Sequence, residues 1–201
     1  MNLGLIIILI IGSFLVGSIP TGYCLVKLKT GVDIRKVGSG NIGTTNAMRA
    51  AGKKIAIIVF VCDILKGMIP SLLGLIFVGP SLGIICGLAA FLGHIYSPWL
   101  GFHGGKGVAT QLGIVLALCP QLAIVPLVAW GLIVFVSGYV SLASCFAVAV
   151  FIVSLLIFKA EIAYIIGFTI MMVIVFIKHR QNFINLKNGT ELKMSVRKKS
   201  K

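Results

Sequence analysis

The side chains able to do chemistry in this sequence are short donors and cations gathered around glycines. The densest group is Gly38-Ser39-Gly40-Asn41-Ile42-Gly43-Thr44-Thr45-Asn46-Ala47-Met48-Arg49. Gly38, Gly40 and Gly43 free the backbone to turn successive N–H groups toward one point. Ser39, Asn41, Thr44, Thr45 and Asn46 add side-chain donors, and Arg49 adds a planar cationic fork. Such a loop is suited to an anion with several oxygens, phosphate before others. A second island, Gly101-Phe102-His103-Gly104-Gly105-Lys106-Gly107, sets one ammonium among glycines. A third, His179-Arg180-Gln181-Asn182, offers an imidazole beside an amide where the last apolar run meets a polar tail. On its own, that histidine reads more readily as an interfacial residue than as a catalyst.

Two familiar nucleotide signatures are approached and missed. Gly38-x-Gly40-x-x-Gly43 has the dinucleotide spacing, but it follows an apolar helix where that fingerprint needs a strand. Gly104-Gly105-Lys106-Gly107 lacks the Ser or Thr after lysine that a P-loop uses to hold magnesium. NAD and ATP are therefore rejected. The five cysteines stand singly in apolar runs and the four acidic residues are scattered, so neither a metal nor a cofactor is expected.

The elements that must position these islands are apolar. Hydrophobic residues make up 59% of the 201, mean hydropathy is +1.12, and only 11% are charged. A soluble domain carries about 25% charged residues. The reading is an all-α integral membrane protein, a single polytopic domain over 1–201. The net charge of +14 does not point to nucleic acid, because membrane-length apolar runs separate the basic residues. The N-terminus has no basic segment before its first run and is not expected to be a signal peptide.

About seven transmembrane helices are expected, over 3–26, 55–78, 82–100, 107–119, 121–136, 142–158 and 162–177. Several are shorter than the roughly 20 residues a full crossing needs, which leaves local thinning or re-entrant pieces as options. Seven Lys or Arg fall in 27–54, one in the second island and eight from 178 onward; Lys66 lies within a span and Lys159 alone on the opposite side. That bias puts the N-terminus outside and the C-terminus in the cytoplasm, with a basic cytoplasmic tail from about 178. The helices after Asn46–Arg49, Gly104–Gly107 and Ser141 would then all begin on one face. Each would aim unsatisfied N–H groups and a positive dipole end toward bound phosphates. Asp63 and Lys66, three apart inside a span, read as a structural ion pair beneath the site. His94 could pack or support the site, and the Arg197–Lys201 cluster suits anionic lipid.

Three stretches together resemble the bacterial acyl-phosphate:glycerol-3-phosphate acyltransferase (PlsY) family: GSGNIGTTNAMR at 38–49, HIYSPWLGFHGGKGVAT at 94–110 and HRQNFINLKNGTE at 179–191. The likeness covers nearly the whole chain. It implies a seven-helix fold in the bacterial inner membrane, with the active site at the cytoplasmic face. It implies acyl transfer from acyl phosphate to glycerol 3-phosphate, giving lysophosphatidic acid. By match, Ser39, Arg49, Lys106, His179 and Asn182 are the expected catalytic residues, and Glu191 is expected to hold the tail. The family usually has an arginine where this chain has Asn185, with Lys187 nearby.

Acyl phosphate is already activated, so no covalent nucleophile is required, and no Ser-His-Asp order is seen. No histidine has an aspartate five positions on, the pattern of acyl-CoA-dependent glycerolipid acyltransferases. Gly38, Gly40, Asn41, Gly43, Thr45, Asn46, Gly104, Gly105, Gly107 and Ser141 are the expected phosphate ligands. The base is either His179 or a substrate phosphate oxygen. Expected partners are glycerol 3-phosphate, acyl phosphate and membrane lipids; the resemblance also admits a soluble acyl-phosphate-producing enzyme at the basic face. The rival reading is a phosphate or organic-anion transporter, which should show a midplane site and related halves. No internal repeat is found.

Overall fold

The computed structural model describes residues 3–194. The Arg197–Lys201 cluster lies outside the described residues. Within them are nine α-helices and no strand: α1 Leu3–Ser18, α2 Thr21–Thr30, α3 Thr44–Phe77, α4 Pro80–Ile95, α5 Val108–Leu118, α6 Ile124–Ser137, α7 Val140–Ile157, α8 Ile162–Lys178 and α9 Arg180–Lys187.

All seven expected apolar segments are helical, but their lengths support fewer crossings. Five stretches are long and apolar enough to span: Leu3–Thr30, Thr44–Phe77, Pro80–Leu100, Pro120–Ser137 and Val140–Ile157. A sixth appears if α8 and α9, bent by 48°, are taken together. The eleven residues of α5 rise only about 16 Å, half of a hydrocarbon core. Outward faces carry what lipid requires. Phe135 is 90% exposed and Val136 82% exposed on α6, which in water would be an adhesive patch.

Three local features follow from particular residues. Pro20 has no N–H to continue α1, and the chain breaks there before restarting as α2. The basic stretch 27–54, expected as loop, is largely helical, because α2 runs to Thr30 and α3 begins at Thr44. Arg49 therefore sits on the first turns of α3, which bends at Gly52, a residue with φ +84°. Within the polar tail expected from about 178, α9 forms immediately beyond His179.

Packing is tight where the site needs support. A Cβ on Gly67 of α3 or Gly113 of α5 would lie 2.2 and 2.0 Å from the Thr110 and Ile64 carbonyl oxygens. Only glycine allows that approach, and it brings the start of α5 against α3. A larger core behind the site joins α4, α5, α7 and α8, with Phe151 and Phe168 edge to face at 4.9 Å. A smaller one under the first glycine island gathers Val26, Ile34, Ala47 and Val59.

The expected Asp63–Lys66 pair is present and buried, Lys66 Nζ lying 2.7 Å from Asp63 Oδ1. The same carboxylate oxygen accepts from Thr21 Oγ1 at 2.6 Å, and Lys66 also donates to the Ile19 carbonyl at 3.1 Å. The pair thus pins the proline break of the first span to α3.

Candidate active site

The first island is built by its asparagines. Asn46, on the first turn of α3, accepts from the Ser39 N–H at 3.0 Å and donates to the carbonyls of Ile34, Val37 and Asn41 at 2.8–3.1 Å. Asn41 Oδ1 accepts from the Gly43 N–H at 2.9 Å, an Asx turn leading into the helix. Asn46 was expected to hold phosphate; its polar atoms are engaged in closing the loop instead. The folded loop presents Gly38, Ser39 and Gly40 beside Thr44, Thr45 and Arg49.

These residues form one wall of a cavity of about 900 Å³. Lys106, Gly107 and Val108 form a second wall, Val140 and Ser141 a third, and His179, Asn182 and Glu191 a fourth. The first residues of α3, α5 and α7 thus all reach it. The N–H groups of a first helical turn have no upstream carbonyl within their own helix, so three sets of donors and three dipole ends meet one space. Arg49 and Lys106 both face it.

Not every expected ligand is in place. Gly104 and Gly105 do not line the cavity. Their N–H groups donate to the Ile95 and His94 carbonyls, both at 3.0 Å, and a Cβ on Gly105 would lie 2.1 Å from His94 Nε2. The double glycine lets the chain pass against α4 and so aims Lys106, where direct phosphate contact was expected of it. Asn185 lines the cavity at the position where the family usually has arginine.

A continuous set of hydrogen bonds holds the cationic side. Lys106 Nζ donates to Asn182 Oδ1. Asn182 Nδ2 donates to Glu191 Oε1 at 2.7 Å, and Ser141 Oγ donates to the same oxygen at 2.7 Å. Arg49 reaches across to the carbonyls of Leu192 and Lys193, each at 3.4 Å. The segment after α9 is thereby tied to α3, α5 and α7. Burial holds the Lys106 ammonium below the usual lysine range; Arg49 adds to that push and Glu191 opposes it.

His179 sits between α8 and α9, beyond the last residue of the apolar helix, and is 3% exposed. Its Nδ1 lies 2.8 Å from the Val175 carbonyl. A carbonyl can only accept, so Nδ1 carries the hydrogen and Nε2 keeps its lone pair. Burial, with help from the Lys106 charge, pushes the imidazolium down to about 4. The ring is neutral at ordinary pH and a weak base.

Two groups of lining residues were missed by residue typing. One is apolar: Val115 of α5, Leu127 and Trp130 of α6, and Val148 and Phe151 of α7. In sequence these looked like ordinary span residues. The other is Phe60 and Gln111, beside Asp63 and His94. Gln111, the one amide of α5, was the available signal for it, a polar group in an apolar helix next to a glycine island.

A model of the glycerol-3-phosphate acyltransferase family matches residues 7–189. A glycerol-3-phosphate acyltransferase of Mesorhizobium japonicum is 42% identical over 198 residues, 98% of this chain and 100% of that one. One from Geotalea daltonii is 45% identical over 92% and 95% of the two chains. Among solved structures, the glycerol 3-phosphate form of PlsY, described as an integral membrane glycerol 3-phosphate acyltransferase, superposes with a TM-score of 0.91 at 39% identity, covering 94% of each chain. Its lysophosphatidic acid form gives 0.88 at 38% over the same shares. With identity of that order along almost its entire length, the chain belongs to the glycerol-3-phosphate acyltransferase family, whose fold it shares.

Proposed function

We propose that the protein transfers a fatty acyl group from acyl phosphate to the primary hydroxyl of glycerol 3-phosphate, yielding 1-acyl-glycerol 3-phosphate and inorganic phosphate. One observation carries this reading: Arg49, Lys106 and three helix N-termini line a single cavity whose walls also carry apolar side chains of α5, α6 and α7. A donor with a phosphoryl head and a long tail fits that division, and a second phosphate on the acceptor accounts for the excess of positive groups.

The step needs little beyond positioning and charge. The glycerol hydroxyl oxygen attacks the acyl carbonyl carbon, a new ester C–O bond forms, and the bond from that carbon to the phosphate oxygen breaks. The hydroxyl proton leaves with a phosphoryl oxygen. Burial and the nearby Lys106 charge make the His179 imidazole a weak base, which favours the substrate oxygen as the proton acceptor. His179 Nε2, with its lone pair free, then accepts a hydrogen bond from the acceptor's other hydroxyl and so orients the molecule. Lys106, aimed by Asn182 and Glu191, stabilises charge growing on the leaving phosphate, while Arg49 and Ser39 hold the other phosphoryl group.

In this reading the chain is one polytopic domain of the bacterial inner membrane, with the cavity mouth and both glycine islands cytoplasmic. The distribution of Lys and Arg supports that orientation. The cavity lies at helix starts, not between related halves, and nothing favours a transporter.

Purified protein in detergent, given glycerol 3-phosphate and either acyl phosphate or acyl-CoA, tests the donor. Lysophosphatidate should appear with acyl phosphate alone. Equal or better turnover with acyl-CoA would remove the proposal.

A further inference from the structure

A second hollow stands apart from the cavity, at the Pro20 break. Its volume is about 330 Å³, it is lined by Ile19, Pro20, Tyr23, Cys24, Trp99 and Leu100, and it shares no lining residue with the cavity. The turn after α4 is tied to the end of α1 there. Ser97 Oγ donates to the Ser18 carbonyl at 2.6 Å, and Trp99 Nε1 donates to Ser18 Oγ at 2.9 Å. The indole is thus fixed by its polar end while Trp99 stays 65% exposed, near an Ile19 that is 48% exposed. In water such an apolar hollow would be a liability. Here it lies between two stretches long and apolar enough to span, Leu3–Thr30 and Pro80–Leu100, so lipid is what it meets.

One rim of the hollow is cationic. The Tyr23 hydroxyl accepts from Lys27 Nζ at 3.1 Å, and the Lys27 ammonium and Arg35 guanidinium stand 5.4 and 5.1 Å from the Tyr23 ring centroid. Arg35 is already held by both carboxylate oxygens of Asp33. Lys27 forms no ion pair among the described residues. It lies four residues past Tyr23 on the same face of α2, about 6 Å further along the axis, on the cytoplasmic side by the Lys and Arg bias. The order toward water is therefore apolar hollow, phenol, unpaired ammonium. A glycerophospholipid has the matching order of chain, ester and phosphate. Headgroup charge narrows the occupant. A choline or ethanolamine head would set its own cation against Lys27 and Arg35, whereas a head charged only through its phosphate meets no such repulsion.

We infer that the hollow at the Pro20 break binds one phospholipid with a net-anionic headgroup, its acyl chain against Ile19, Pro20 and Trp99 and its phosphate on Lys27. The site is separate from the reaction cavity and does not depend on the substrates used there.

Trp99 itself reports on the occupant. The chain has two tryptophans, Trp99 and Trp130, so Trp130→Phe leaves Trp99 as the sole indole emitter; Trp130→Tyr serves if the phenylalanine variant does not fold. The full chain would be placed in phosphatidylcholine nanodiscs containing increasing fractions of either phosphatidylglycerol or phosphatidylcholine brominated on its chains, which quenches an indole it touches. Half-maximal quenching should need about fivefold less brominated phosphatidylglycerol, the preference that one basic residue near the bilayer surface supplies. Lys27→Gln should bring the two lipids to within about twofold. Lys53→Gln with Lys54→Gln removes more charge, from exposed positions outside the hollow, and should keep the preference. Equal quenching by the two lipids before Lys27 is changed, as expected if bulk bilayer fills the hollow, would overturn the inference. So would a preference that survives Lys27→Gln, or one that vanishes with Lys53→Gln and Lys54→Gln and so reports only general surface charge.

Discussion

The Lys106 ammonium is hydrogen-bonded to the Asn182 carbonyl oxygen, although the two residues stand 76 apart in sequence. Asn182 in turn donates to Glu191, so the cation expected to meet phosphate is aimed by an amide and a carboxylate from beyond the last spanning helix. Substituting Lys106→Met should lower kcat/KM by about 10²–10³, the size of effect seen when one preorganised transition-state donor is removed. Arg49→Met should act similarly, mainly through KM for glycerol 3-phosphate. Both variants should elute and melt as wild type does, since neither side chain fills a core. Wild-type turnover in either variant would reject the cavity as the reaction site.

Glu191 supplies a test through pH. Its charge raises the Lys106 pKa against the depression from burial and Arg49. Catalysis that needs the cationic lysine should therefore decline on the alkaline side at a pH below the ordinary lysine range. Glu191→Gln removes the supporting charge, so the alkaline limb of kcat/KM should move to still lower pH. An unmoved limb would mean that another group sets it.

For His179 the expected loss is modest. With the imidazolium pushed down to about 4 by burial and the Lys106 charge, the ring is a weak proton acceptor. His179→Ala should cost about tenfold and leave the acidic limb of the pH–rate profile in place. A general base would cost about 10²–10⁴, and its limb would vanish with it. Kinetics across pH 4–8 on the variant separate the two.

How far the sequence revealed this architecture differs by element. The long apolar runs and the density of glycine before Thr44 and Val108 announced apolar helices whose starts line one cavity, because composition and chain punctuation are local properties. The number of crossings was less legible. Val108–Leu118 is apolar apart from Thr110 and Gln111, and only its length, short of a full crossing, sets it apart from the longer spans. Gly104 and Gly105 looked like phosphate ligands because glycine permits both anion contact and close packing, and only their approach to His94 tells which applies. Asn46 misled for a related reason: an asparagine serves a loop's own carbonyls as readily as a ligand. The apolar groove was invisible, since Trp130 and Phe151 match the composition of any span, and their shared surface arises from how α6 and α7 pack.

The Asp63–Lys66 pair makes a final prediction, on stability. Both side chains are almost fully buried, and the carboxylate also accepts from Thr21 across the break between α1 and α2. Asp63→Ala leaves an ammonium without its counter-charge in an apolar bundle, at a cost of about 3–5 kcal/mol. That should appear as a large drop in the thermal midpoint in detergent. Removing both charges with Asp63→Leu and Lys66→Met should recover most of the loss, because the desolvation penalty of each ion disappears together with their attraction. If the double variant is no more stable than Asp63→Ala alone, the pair is not a self-contained structural unit. Its bonds to Thr21 and Ile19 would then be what holds the first span in place.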